Sequence, residues 1–330
     1  MQAILAVTIP FFALVLCGYL AARRHVLPES AIPGLNAFVL YFALPCMLFR
    51  FGAQTPVLEL LSPAVLLVYL AVALLVVFFT IATSLNQRIG LKDAAFGALV
   101  AAFPNSGFMG VPLMAALIGP AATGPMICML LADLFVTSSL CIALAQLGGE
   151  GAAKGSAMAA FRRALRGPLV NPLPWAIALG ALSSSLQIRF PGPVDAVLKM
   201  LADAATPVAL FTIGAVLWRA GQHVHTRTPV SDFVPVALTK LLVHPLLVFV
   251  LGAVVLNHGS VLGLGLTPLQ LTVMVLSAAL PSASNVSLLA ERYGADNGRV
   301  ARIIMTSTVL AFVTFSLLAW GFGVQVHAPR

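Results

Sequence analysis

Nine long stretches of this chain hold no Asp, Glu, Lys or Arg: residues 1–22, 30–49, 60–87, 94–132, 134–149, 167–188, 204–218, 241–290 and 303–329. Such runs cannot cover a water-facing surface. Soluble domains carry about 25% charged residues, whereas this chain carries 8% against 60% hydrophobic, with a mean hydropathy of +1.03. A spanning helix needs roughly 20 apolar residues, so the chain reads as an all-α integral membrane protein. The runs 94–132 and 241–290 are long enough for two spans each. Hydrophobicity is continuous within the runs and does not alternate, which excludes a transmembrane β-barrel. Ten spans result: 3–22, 31–51, 62–85, 93–117, 124–147, 169–188, 196–219, 232–256, 268–290 and 299–323.

The formal charge is +8, but the basic residues lie in short loops and form no separate patch, so no nucleic-acid partner is expected. Loops after odd-numbered spans hold 13 of them: Arg23, Arg24, Arg88, Lys92, Lys154, Arg162, Arg163, Arg166, Arg219, Arg227, Arg292, Arg299 and Arg302. The opposite side holds 3: Arg50, Arg189 and Arg330. The positive-inside rule then places the odd loops in the cytoplasm and both termini in the periplasm of a bacterial inner membrane. Residues 3–22 have no preceding positive charge, and Arg23 and Arg24 follow the apolar run, so they read as a retained helix and not a signal peptide. Cys17, Cys46, Cys128 and Cys141 all fall inside spans, where thiols act as small apolar residues. Neither a disulfide nor a metal site is expected.

Punctuation recurs between the halves. Pro45-Cys46-Met47-Leu48-Phe49 matches Pro207-Val208-Ala209-Leu210-Phe211 at an offset of 162. Pro10-Phe11 matches Pro174-Trp175 at 164, and Pro104 and Pro281 sit 177 apart. Each half has five spans, an odd number, so the copies must be inverted in the membrane, as in many secondary transporters. The expected organisation is a first repeat over 1–147, a cytoplasmic linker over 148–168 and a second repeat over 169–330.

The fourth span carries AAFPNSGFMGVP, residues 101–112, at its centre. Proline removes a backbone donor and clashes with the preceding turn. Irregular backbone at membrane depth survives only where protein buries it or it lines a wet cavity. Pro104, Asn105 and Ser106 therefore mark a break between two half-helices, and Pro281, Ser282, Ser284 and Asn285 mark another in the ninth span. If the breaks meet, half-helix N-termini offer free N–H groups and partial positive charge to an anion. The plain alternative is a pair of proline kinks with satisfied side chains.

The stretches LNAFVLYFALPCMLF (35–49), FPNSGFMGVPLM (103–114), PVALFTIGAVL (207–217) and LPSASNVSLLAERYG (280–294) resemble the auxin efflux carrier family. That family holds the plant PIN auxin carriers and bacterial permeases assigned to malonate or malate. The resemblance covers essentially the whole chain and extends to the bile-acid sodium symporter fold. It implies ten helices in two inverted five-helix repeats, broken crossing helices four and nine, and elevator-like movement of a transport domain against a scaffold. Pro104 and Asn105 would occupy the crossover in the fourth helix and Pro281 that in the ninth. It also implies a homodimer. Unlike the plant members, this chain has no long central hydrophilic loop.

Asp133 lies inside the fifth span, where acids are costly and usually line a functional path; it is a coupling-ion candidate, the plain alternative being a protonated acid hydrogen-bonded inside the bundle. Asp203 is a second. Asp195, Lys199 and Asp203 share a helix face and also read as an ion-pair stripe. Lys240 lies within snorkelling reach of the cytoplasmic interface and reads as an anchor, the alternative being attraction of anions. His244 reads as structural, although a histidine there also suits titration near neutral pH, and Glu291 and Arg292 read as a solvated pair. No phosphate loop, HExxH or zinc-spaced Cys pair is present, so the chain is not expected to be an enzyme. The reading is a secondary transporter that moves a small organic anion across the bilayer with no cofactor; coupling to H⁺, coupling to Na⁺ and uncoupled, potential-driven export are the alternatives for what drives it. The alternative is a membrane receptor binding the same ligand without transport.

Overall fold

The computed structural model describes residues 1–55, 61–147, 166–188, 190–222, 228–258 and 263–324. Most of the expected linker, 148–165, lies outside the described residues. Among those described, no strand occurs, and the helices follow in this order. They are α1 (Gln2–Arg23), α2 (Glu29–Gln54) and α3 (Pro63–Ser84), α4 (Leu91–Ala102), and α5 (Ser106–Leu117) and α6 (Pro120–Leu147). Then come α7 (Pro172–Ser185), α8 (Gly192–Gln222) and α9 (Val230–His258). The last three are α10 (Pro268–Ala278), α11 (Val286–Arg292) and α12 (Asn297–Gly321). Seven of these are long and apolar enough to cross a membrane.

The spans expected at 93–117 and 268–290 are each split, into α4 with α5 and α10 with α11. The span expected at 169–188 is shorter, because α7 runs for only 14 residues. Its start is fixed by Asn171, whose side chain accepts the Leu173 amide at 3.0 Å, with Pro172 in the first turn, where a missing N–H is harmless.

Wide π turns interrupt four elements, at Val39–Ala43, Ser106–Gly110, Asp133–Thr137 and Thr239–Val243. Three of them directly precede a proline one residue further on: Pro45, Pro112 and Pro245. Widening the turn relieves the clash between a proline ring and the carbonyl behind it. The fourth, at Asp133, has no such proline, and side-chain bonding at the aspartate takes its place.

The helices pack in two groups. α1 lies along α8, and α2 lies along both α7 and α8. The other group contains α3, α4, α6, α9, α10 and α12. In the first group the close approaches are made by glycine. A Cβ on Gly18 would strike the Phe211 carbonyl, and one on Gly214 the Val15 carbonyl. Likewise Gly180 abuts the Phe49 carbonyl and Gly52 that of Ile177. The residues in these contacts correspond at one offset: Gly18 with Gly180, Val15 with Ile177, Phe49 with Phe211 and Gly52 with Gly214, each 162 apart.

The second group is tied at one end by Arg299, which the sequence counted among the bases of the cytoplasmic loops. It is instead 2% exposed. Its guanidinium donates to the Asp232 carbonyl (2.8 Å), the Asp93 carbonyl (2.8 Å) and Ser84 Oγ (3.3 Å). Gly97 leaves the room the guanidinium occupies.

Candidate functional site

The two breaks meet. Pro104 and Ser282 form an isolated antiparallel bridge. The Asn105 amide donates to the Pro281 carbonyl at 2.8 Å, and the Ala283 amide to the Phe103 carbonyl at 3.0 Å. Each broken segment thus satisfies part of the other's backbone, which is how non-helical chain persists in a dry interior. Ser282 Oγ donates to the Val100 carbonyl at 2.7 Å, and the Ser282 amide donates to Ser307 Oγ on α12 at 3.2 Å. The Asn105 carbonyl accepts the amides of Met109 (3.1 Å) and Gly110 (2.9 Å), closing the first turn of α5.

Some groups stay open. The amides of Gly107, Phe108, Ser284 and Asn285 find no acceptor among the described residues. Ser284 and Asn285 lie 177 positions after Gly107 and Phe108, the offset that separates the two prolines. Ser106 Oγ is buried and has no partner. The seven crossing residues proposed from sequence, Pro104, Asn105, Ser106, Pro281, Ser282, Ser284 and Asn285, are therefore gathered at one place.

One small cavity adjoins it, and a larger one lies beyond. A hollow of about 10 Å³, room for roughly one water, touches Phe108, Ser284 and Asn285 on one side and Asn36 and Thr212 on the other. Asn36, Val216 and Leu288 also line a larger cavity of about 450 Å³ between α2, α8 and α11. That cavity is within the size range of small-molecule sites. Asn36, Tyr41, Arg219, Ser287, Glu291 and Asn297 supply its polar lining.

A second polar cluster sits inside the other helix group. Asp133 is fully buried. Tyr69 on α3 donates to its Oδ2 at 2.7 Å, and Thr137 to its Oδ1 at 3.0 Å. Lys240 was expected to snorkel; it is instead completely buried. Its ammonium donates to the Ala278 carbonyl at the end of α10 at 2.7 Å and lies 3.2 Å from His244 Nδ1. The π turn at Thr239–Val243 and Pro245 put Lys240 and His244 on the inward face of α9. The Tyr69 and His244 rings are 5.9 Å apart. No ion pair within 4.0 Å joins Asp133 to Lys240 among the described residues.

Asp203 lies apart from both clusters. It pairs with Lys199 at 2.6 Å with both side chains largely exposed. Asp195 pairs across to Arg50 at 2.6 Å, so the expected stripe on α8 divides between two partners. Glu291 and Arg292 are exposed. Sequence reasoning missed Tyr69 altogether. The signals available were its isolation as a polar aromatic in an aliphatic span and, for Lys240, the i, i+4 spacing to His244. No group of three or more His, Cys, Asp or Glu suited to a metal occurs among the described residues.

Apolar helices of spanning length around a buried polar crossing define a multi-pass membrane protein. Its sequence matches the family described as membrane transport protein over residues 3–319, and the chain belongs to that family, which takes in the auxin efflux carriers. A Rhizobium meliloti protein that carries the name "Putative malonate transporter" is 27% identical over 321 residues, covering 97% of this chain and 96% of that one. A Methanothermobacter thermautotrophicus protein named only as a transporter is 28% identical, covering 92% of this chain and 93% of its own. Auxin efflux carrier component 8 of Arabidopsis thaliana is 20% identical over 94% of this chain and 95% of its own. The family consists of membrane transporters, so the chain is a transporter and not an enzyme.

Proposed function

We propose that the protein is a secondary transporter of a small organic anion, a carboxylate, held at the crossing of the two broken helices. The observation that carries this reading is the set of unpaired amides at Gly107, Phe108, Ser284 and Asn285 beside a cavity, with no acid at the crossing itself. Unpaired amides and the buried Ser106 hydroxyl suit an acceptor-only group. The malonate name of one relative and the auxin name of another both belong to carboxylate cargo. The matched glycine contacts at offset 162 support ten spans in two inverted repeats. In that arrangement α1, α2, α7 and α8 serve as scaffold, and the rest move as an elevator. With both termini periplasmic in a bacterial inner membrane, the 450 Å³ cavity opens to the cytoplasm. Asp133, buried and held by two neutral donors, is the proposed carrier of a coupling proton. Asp203, exposed and paired with Lys199, has no contact with that cluster.

The test is counterflow in proteoliposomes. Labelled malonate, or another short carboxylate, is expected to accumulate against unlabelled solute inside, and malonamide is expected not to compete. Asn105→Ala and Asn285→Ala are each expected to cut exchange by about ten-fold, equivalent to about 1.4 kcal/mol. Unaltered exchange in both variants would refute the crossing as the binding site. Ligand binding with no flux would favour a receptor.

A further inference from the structure

We propose that Lys240 makes the crossing selective for anions, acting through the Ala278 carbonyl at the end of α10 and without touching the solute. This rests on the crossing being the anion site. A crossing of broken helices presents carbonyl ends as well as amide ends. A helix C-terminus carries about half a negative charge, so it repels an anion as strongly as an N-terminus attracts one. Net attraction requires the carbonyl ends of α4 and α10 to be silenced.

The two ends are silenced differently. At α4, the Val100 carbonyl takes the Ser282 hydroxyl and the Phe103 carbonyl takes the Ala283 amide. Both donors are neutral. At α10, the Ala278 carbonyl takes the Lys240 ammonium at 2.7 Å. A hydroxyl would have satisfied that carbonyl, whereas burying an ammonium is expensive. The choice of lysine therefore places a group able to carry positive charge where a neutral donor would have met the hydrogen-bonding need alone. Asp133 attracts the ammonium from within the same cluster, but its two oxygens accept from Tyr69 and Thr137 and it forms no ion pair with Lys240, so the direct contact of the ammonium is with Ala278. The remaining neighbour, His244, offers Nδ1 as acceptor at 3.2 Å. Ser106 Oγ on α5 and Ser277 Oγ at the end of α10 are among the buried hydroxyls without partners. Such hydroxyls suit an acceptor-only solute such as a carboxylate.

Lys240→Met alone leaves the buried Ala278 carbonyl and His244 without their partner and is expected to fold poorly. The informative variant is Lys240→Met with Asp133→Asn, which removes both charges. Binding of malonate and of its uncharged diamide is measured on the purified full chain in detergent. The paired variant is expected to bind malonate at least about ten-fold more weakly, with the preference for malonate over the diamide collapsing. Asp133→Asn alone leaves the ammonium without its counter-charge and is expected to tighten malonate binding. A merely structural lysine would not produce opposite signs in these two variants. Malonate bound by the paired variant as tightly as by the native protein overturns the proposal. No binding of malonate or other short carboxylates by the native protein overturns the anion-site reading beneath it as well.

Discussion

Asp133 is held by two side chains that carry no charge, Tyr69 and Thr137. Tyr69→Phe keeps the ring and removes only the hydroxyl, so it leaves one oxygen of a buried carboxylate without a donor. That is expected to lower stability by about 1–3 kcal/mol, read as an earlier thermal unfolding transition in detergent; an unchanged transition would mean that water or another donor fills the gap. Asp133→Asn keeps an oxygen to accept from Tyr69 but loses the group that takes up a proton. Uptake driven by an inward proton gradient is expected to vanish while malonate exchange at symmetric pH persists. Acid-driven uptake that survives in Asp133→Asn removes Asp133 as the carrier. Asp133 was legible in the sequence because it alone interrupts a long uncharged stretch. Lys240 was misread for a reason of geometry. It is eight residues beyond Asp232, about 12 Å along a helix at 1.5 Å per residue, a reach that a snorkelling lysine spans. Whether it turns outward or inward is decided by the π turn and by the free end of α10, and neither is a local property of α9.

The helix pairs α1–α8 and α2–α7 depend on four glycines facing carbonyls. Lipid supplies no hydrophobic drive for helix association, so close backbone approach through small residues does that work. Gly214→Ala and its counterpart Gly52→Ala are both expected to destabilise by about 1–3 kcal/mol, because the new methyl meets backbone that cannot move aside. Gly34→Ala on α2, where nothing lies within 4 Å of the added carbon, is expected to be neutral or to stabilise by up to about 1 kcal/mol through helix propensity. Thermal unfolding of the three variants checks this, and equal losses at Gly34 and Gly214 would contradict it. The breaks themselves were legible, since proline followed by serine and asparagine in an apolar span removes a helix donor and adds polar groups that lipid cannot satisfy. The pairing of Pro104 with Ser282 was not, because sequence gives the positions of two interruptions and not the hydrogen bonds between them. The same limit hid the glycines. Their spacing is visible, but the carbonyls they face lie on helices far away in the chain.

At the scale of the molecule, the asymmetry of the cavities is informative. About 450 Å³ opens between α2, α8 and α11, yet only about 10 Å³ remains where the breaks present their amides. Asn36 and Leu288 line both spaces, one on α2 in the group held together by glycines and one on α11 next to the crossing. If solute reaches the crossing by relative movement of the two groups, these two residues must change separation in every cycle. Linking them holds one state. With Cys17, Cys46, Cys128 and Cys141 replaced by Ser or Ala, Asn36→Cys and Leu288→Cys joined by a short bifunctional thiol reagent are expected to stop malonate exchange. Cleaving a reducible linker is expected to restore it, and each single cysteine treated alike is expected to stay active. A helix group that carries its solute past a fixed scaffold cannot tolerate that tether, whereas a site that opens through side-chain motion alone can. Full exchange in protein shown to be quantitatively cross-linked would therefore exclude relative movement of α2 and α11 as the transport step, while leaving the crossing intact as a binding site.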